Sequence, residues 1–304
     1  MYTEQNQLAI LNDLADSLFD SQLKNWPDFR ERVEQLEDLE RKTFKFESHE
    51  VIVQFNKARA VSTLAKVDSV SISQRKCFLC SENRPSVQQG INVLGKFELL
   101  VNPFPILNGH FTIANVKHTK QEIMPYFKDL LEISKALHSY VIFYNGPKCG
   151  ASAPDHMHFQ AVKSNQMPFE KEYLSNPKNF IDSCDAGCIY EVCGLGRRCI
   201  VISSSEKKYV LDSFRDIYLK MKQDVAECDE PMMNVFQKYE SNQYVTFIFP
   251  RRQHRPNCYY TVDDEKKIMV SPGAIDMGGV IVTAREVDYN RIDCDTINDI
   301  YNQV

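Results

Sequence analysis

Two histidines and a glutamine stand at alternate positions in His156-Met157-His158-Phe159-Gln160. Alternate side chains of an extended strand share a face. His156, His158 and Gln160 therefore form one row, and Met157, Phe159 and Ala161 the other. The apolar row can pack into a core while the polar row presents two imidazoles and an amide to whatever lies opposite. The run before it, Asn145-Gly146-Pro147-Lys148-Cys149-Gly150-Ala151-Ser152, is rich in small residues. Such a loop lets the backbone approach a ligand closely and offers N–H groups to phosphate oxygens. The competing reading is an ordinary strand with two solvated histidines.

A second constellation is Cys77-Phe78-Leu79-Cys80. Thiols at this spacing can converge on one tetrahedral metal, with the other ligands supplied from elsewhere. A redox pair would sit at the start of a helix, and Arg84-Pro85 leaves little room for one. Arg59, among the small residues of Asn56-Lys57-Ala58-Arg59-Ala60-Val61-Ser62, could hold phosphate from a loop or irregular edge; the competing reading is a surface arginine.

His156-x-His158-x-Gln160, with Asn145 and Gly150-Ala151-Ser152 upstream, resembles the signature of the transferase branch of the histidine-triad superfamily. That branch includes galactose-1-phosphate uridylyltransferases, diadenosine tetraphosphate phosphorylases and GDP-hexose phosphorylases. The resemblance implies that His158 is the nucleophile, forming a nucleotidyl-histidine, and that Gln160 assists at the phosphate. It implies substrate contacts from Arg59, Asn102, Phe104, Asn145, Gly150, Ala151 and Ser152. It further implies a structural zinc held by Cys77, Cys80, His118 and His156, with His110 as the reserve third ligand. Ser152 lies four residues before His156, where the family pattern has three, which puts its phosphate contact in question. The implied reaction cleaves a dinucleoside polyphosphate or nucleoside-diphosphate sugar and passes the nucleotidyl group to phosphate or a sugar phosphate. Two other readings use the same residues. One is a hydrolase with water as acceptor, opposed by Gln160 standing in place of a third histidine. The other is a zinc protein that binds nucleotide without turning it over.

The formal charge of −5 argues against a general nucleic-acid binder, but a local basic pocket still suits a nucleotide. Lys57, Arg59, Lys66, Lys148, Arg251, Arg252 and Arg255 are the candidates for it. No stretch reaches the ~18 apolar residues of a membrane helix, and Met1 is not followed by a signal-peptide pattern. Ten cysteines without such a signal read as reduced thiols in a cytoplasmic protein. Cys184, Cys188, Cys193 and Cys199 fit no metal template and read as structural.

The elements that must carry these residues are mixed. Leu8, Leu11, Leu14 and Leu18, then Phe29, Val33 and Leu36 after Pro27, predict two amphipathic helices on the outside of the fold. Strands are expected over 43–56, 97–101, 111–116 and 141–144, with a helix over 121–139. A polar connector is expected over 163–185. Beyond it the order repeats: strand 199–203, a capping-box-like start at 203–206, a helix, strands 234–239 and 243–249. A slide of 88 residues places Phe111 on Cys199, His156 on Tyr244 and His158 on Thr246. A short strand after the 250–256 basic cluster, a turn at 271–279, strand 280–283 and a helix from Glu286 close the chain. The fold expected is α+β, with two histidine-triad-like halves of antiparallel sheet and helix forming a pseudo-duplicated domain, plus N-terminal helices. The divisions are 1–42 for the helical segment, 43–165 for the half with the chemistry and 166–304 for the degenerate half.

Overall fold

Alternating β-branched and aromatic residues build the main sheet of antiparallel strands. The computed structural model describes residues 4–59, 69–223 and 230–304, so Lys66 and the 60–62 stretch lie outside them. Thirteen strands are found among the described residues. In the first part of the chain they are β1 Arg41–Lys45, β2 Glu50–Phe55, β3 Gly90–Val93, β4 Phe97–Val101, β5 Phe111–Asn115, β6 Tyr140–Asn145 and β7 His158–Lys163. The remainder are β8 Lys178–Cys184, β9 Gly187–Val192, β10 Ile200–Ser204, β11 Met233–Glu240, β12 Gln243–Pro250 and β13 Val280–Thr283.

Ten of them form one sheet in the order β3-β4-β5-β7-β6-β11-β12-β10-β9-β8. The order β4-β5-β7-β6 is mirrored by β9-β10-β12-β11, so the two halves of the repeat meet at β6 and β11. A small sheet, β1-β2-β13, lies apart from it, with β13 parallel to β2. Ser241 and Asn242 join β11 to β12 at φ 51 and 61, the left-handed pair that a tight hairpin needs.

The large sheet has two differently covered faces. Helices Phe127–Ala136 and Lys207–Lys222 share one of them, and the rings of Phe127 and Phe214 stack 3.6 Å apart between the helices. Met157, Phe159, Tyr244 and Ile248 point into this core, where burying each large apolar side chain contributes about 1.5–3 kcal/mol. The opposite face carries Phe143, Val162, Val245, Phe247 and Phe249, packed against the small sheet and the C-terminal helices. His158 and Gln160 alternate with Met157 and Phe159 and so belong to this second face.

The slide of 88 keeps strand pairing, since Ala114 pairs with His158 and Ile202 with Thr246. It does not keep the face, because Ile202 and Thr246 lie on the helix side. A one-residue slip reverses every side chain, so the counterparts of His158 are the buried, apolar Val245 and Phe247. The 163–185 connector is in fact helix Phe169–Ser175 followed by β8, the first strand of the β8–β9 hairpin. Phe169 and Tyr173 make it part of the core. The N-terminal region is three helices, Glu4–Ala9, Leu11–Asn25 and Pro27–Glu34. Helix Lys207–Lys222 starts without a side-chain cap, the Ser204 hydroxyl accepting instead from the Glu206 N–H at 2.8 Å. After the basic cluster there is a helical turn, Asn257–Tyr260, in place of a strand, and Ala274–Met277 is helical where a turn was expected. No helix among the described residues is long and apolar enough to cross a membrane.

Candidate functional site

His158 opens β7 and is buried. Its Nδ1 lies 2.8 Å from the carbonyl oxygen of His156. A carbonyl can only accept, so Nδ1 carries the proton and Nε2 keeps its lone pair. Burial, with His156 close by, lowers the His158 pKa to about 4. The ring is neutral and held as a single tautomer at the edge of a cavity of about 880 Å³, within the range of small-molecule sites.

Gln160 lies beyond His158 on the same face, and a residue outside the motif fixes its amide. The His110 Nδ1 accepts from the Ile106 N–H at 3.1 Å, so the proton of this neutral ring is on Nε2. That nitrogen is 2.8 Å from Gln160 Oε1 and donates to it. The amide oxygen is thereby occupied and the NH₂ group is left as donor. Burial, with Arg59 nearby, lowers the His110 pKa to about 3 and keeps the ring neutral. His110 is thus not in the metal cluster. The sequence signal for its real place is Thr112, which pairs with Gln160 on the neighbouring strand and puts His110 two positions along the same face.

The other expected substrate residues all line this cavity, with differing local duties. Asn102 caps its own turn by accepting from the Phe104 N–H at 3.0 Å. The Arg32 guanidinium lies over the Phe104 ring, 4.6 Å from its centroid. Arg59 donates to the Phe104 carbonyl at 3.1 Å. Asn145 turns toward the second half, its Oδ1 accepting from the Ala274 N–H at 2.7 Å. Gly150 has φ +93, and a Cβ there would lie 2.5 Å from the Gly273 Cα, so glycine is required for a close approach of two backbones. Ala151 and Ser152 complete the loop.

Residues that sequence reasoning did not place here also line the cavity. Trp26, Asp28 and Arg32 come from the N-terminal helices, and Arg75 and Phe78 from the cysteine loop. Of the basic candidates, Arg255 lines the cavity together with its neighbour His254. Arg251 is buried and donates to Asn234 Oδ1 at 2.7 Å and to the Pro272 carbonyl at 2.9 Å, so it braces the second half. Arg252 reaches the Asn302 carbonyl, and Lys57 and Lys148 are exposed away from the cavity lining.

Cys77, Cys80, His118 and His156 converge, their donor atoms all within 4.8 Å of one another. The Cys77 Sγ is 3.3 Å from His156 Nδ1, and Cys80 Sγ is 3.2 Å from His118 Nδ1 and 3.6 Å from His156 Nδ1. A tetrahedral ion with bonds of about 2.0–2.3 Å spaces its donors roughly 3.5 Å apart, so the cluster can hold a metal ion. His156 Nε2 donates to the Asn115 carbonyl at 2.7 Å, leaving Nδ1 for the ion. Burial raises the Cys77 thiol, but the His156 imidazole and the N–H groups of Leu79 and Cys80 outweigh it and hold it low.

Residues 18–163 match a family model described as a domain of unknown function, DUF4922. No curated protein sequence matches. Among solved structures, yeast Ap4A phosphorylase Apa2 superposes with a TM-score of 0.61 at 15% identity, over 91% of this chain and 95% of that one. The complex of that enzyme with AMP gives 0.57 at 17% identity, over 92% of this chain and 94% of that one. Its complex with Ap4A gives 0.54 at 15% identity, over 92% and 96%. This chain has the Ap4A phosphorylase fold. The α+β architecture expected from the histidine-triad resemblance, transferase branch, is the one found.

Proposed function

We propose that the protein is a nucleotidyltransferase of the phosphorylase kind, acting on a dinucleoside polyphosphate through a nucleotidyl-His158 intermediate. The observation that carries this reading is the His158 ring, which is neutral, fixed by the His156 carbonyl and open to the cavity through Nε2. A neutral nucleophile avoids the repulsion that an anion meets at phosphate. Nε2 attacks the α-phosphorus, and the anhydride P–O bond breaks with its electron pair leaving on the distal phosphate. The proton stays on Nδ1, donated to the His156 carbonyl, whose oxygen offsets the positive charge gathering on the ring. A phosphate or sugar-phosphate oxygen then attacks the same phosphorus, and the P–N electrons return to Nε2. The Gln160 NH₂, aimed by His110, donates to a non-bridging oxygen as its charge grows. The likeness in fold to an Ap4A phosphorylase supports the class of substrate.

The metal in this reading is zinc on Cys77, Cys80, His118 and His156. Bound there, it would supply a structural crosslink, holding His156 and hence the carbonyl that aims His158. The test is incubation with diadenosine tetraphosphate, GDP-glucose and UDP-glucose, each with and without inorganic phosphate, followed by mass spectrometry of the intact protein. A nucleotidyl adduct in the native protein, absent from His158→Ala, is expected, with turnover that depends on phosphate. An adduct that persists in His158→Ala ends the proposal, and equal turnover without phosphate makes the protein a hydrolase.

A further inference from the structure

The loop bearing Cys77 and Cys80 also places an arginine in the nucleotide cavity. Arg75 donates from Nη2 to Asp155 Oδ1 at 2.5 Å. Its guanidinium lies over the Phe78 ring, 5.1 Å from the centroid, and both residues line the cavity shared with His158 and Ser152. Its Nη1 is buried and has no hydrogen-bond acceptor. A buried N–H without an acceptor is costly; a quarter of the Arg75 side chain is open, so a turn of the guanidinium about its Asp155 contact would bring that N–H to a phosphate oxygen in the cavity. Arg84, also on the cavity wall, is engaged by Glu98 at 2.6 Å. The second carboxylate oxygen of Asp155 faces His118 Nε2 at 3.7 Å, on the far side of that ring from the metal-facing Nδ1. One carboxylate therefore lies beside a metal ligand and is hydrogen-bonded to a cavity cation.

We propose that Arg75 binds a phosphate group of the nucleotide, and that Asp155 is the positioning residue that orients both Arg75 and the metal-ligand His118. The inference rests on the nucleotide-binding reading above. Arginine presents a planar fork, so one edge on Asp155 leaves the other for a ligand, with less orientation to lose on binding. A carboxylate behind a ligating histidine orients that ring toward its metal. A purely structural Arg75–Asp155 bridge would leave discrimination between nucleotide and nucleoside untouched.

Calorimetric binding of AMP and GMP against adenosine and guanosine, on the zinc-loaded protein, reads this directly. Arg75→Ala is expected to weaken the phosphate-bearing ligands about tenfold while leaving the nucleosides and the rate of zinc release to a chelator unchanged. Arg75→Lys keeps the charge without the fork and recovers part of the affinity. Asp155→Asn is expected both to weaken the nucleotides and to speed zinc release. Equal effects of Arg75→Ala on nucleotide and nucleoside, no effect on either, or wild-type zinc release in Asp155→Asn would overturn the proposal. So would a native protein for which the phosphate adds nothing to affinity. The His158 adduct is scored separately. Its presence beside an indifferent Arg75→Ala sinks only this inference, whereas its absence beside a phosphate-selective loss sinks only the transferase reading.

Discussion

Asn145 and Asn234 are register partners where the two halves meet, and the Asn234 Nδ2 donates to Asn145 Oδ1 at 2.9 Å. The same oxygen accepts from the Ala274 N–H, and Arg251 holds the other end of Asn234. The loop 145–152 is therefore set by the second half as much as by its own sequence. Asn145→Ala leaves two donors to find other acceptors in a buried seam. A loss of about 1–3 kcal/mol is expected in denaturant unfolding. A midpoint and slope equal to the native protein's would show that the seam does not depend on this pair.

The pH dependence follows from the two buried imidazoles. Their folded pKa values are about 4 for His158 and about 3 for His110, against about 6.5 in an unfolded chain. Between these values the unfolded state binds protons that the folded state does not, so stability falls as pH drops below about 6.5 toward 4. Adduct formation should keep its rate through pH 5 and decline near 4, followed by rapid quench while circular dichroism confirms folding. A limb at the ordinary histidine value would contradict the burial argument.

Gln160 and His110 should behave as a pair. Gln160→Ala removes a donor at the phosphate and is expected to slow adduct formation by about 10²-fold. His110→Ala lets the amide turn over, so a smaller loss of about tenfold is expected, with the double variant close to Gln160→Ala alone. Single-turnover rates on the four proteins check this. Full additivity would show that His110 does not act through Gln160.

Metal removal tests the cluster. Cys77→Ser is expected to abolish stoichiometric zinc, measured by atomic absorption, and to lower the melting temperature because metal binding contributes directly to folding. Cys184→Ser, on exposed β8, should change neither. A Cys77→Ser protein with native zinc content would remove the four-ligand assignment.

By itself the sequence determined the local pieces. The period-two row put His156, His158 and Gln160 on one side of the chain, and the Cys77-x-x-Cys80 spacing marked a half-site. Apolar stripes such as Phe127, Leu130 and Leu131 located the helix that backs the sheet. These features depend on residues a few positions apart, and backbone periodicity is enough to read them. Long-range relations were decided only by the tertiary structure. His110 reads as a spare metal ligand until β5 is paired with β7, which turns it toward Gln160. The apparent 88-residue equivalence survives as strand register yet fails as a face, because side-chain direction reverses with each residue while sequence similarity has no direction. Arg75, Asp28 and Arg32 reach the cavity only because packing brings the cysteine loop and the N-terminal helices to its rim. Nothing local in their own segments records that packing.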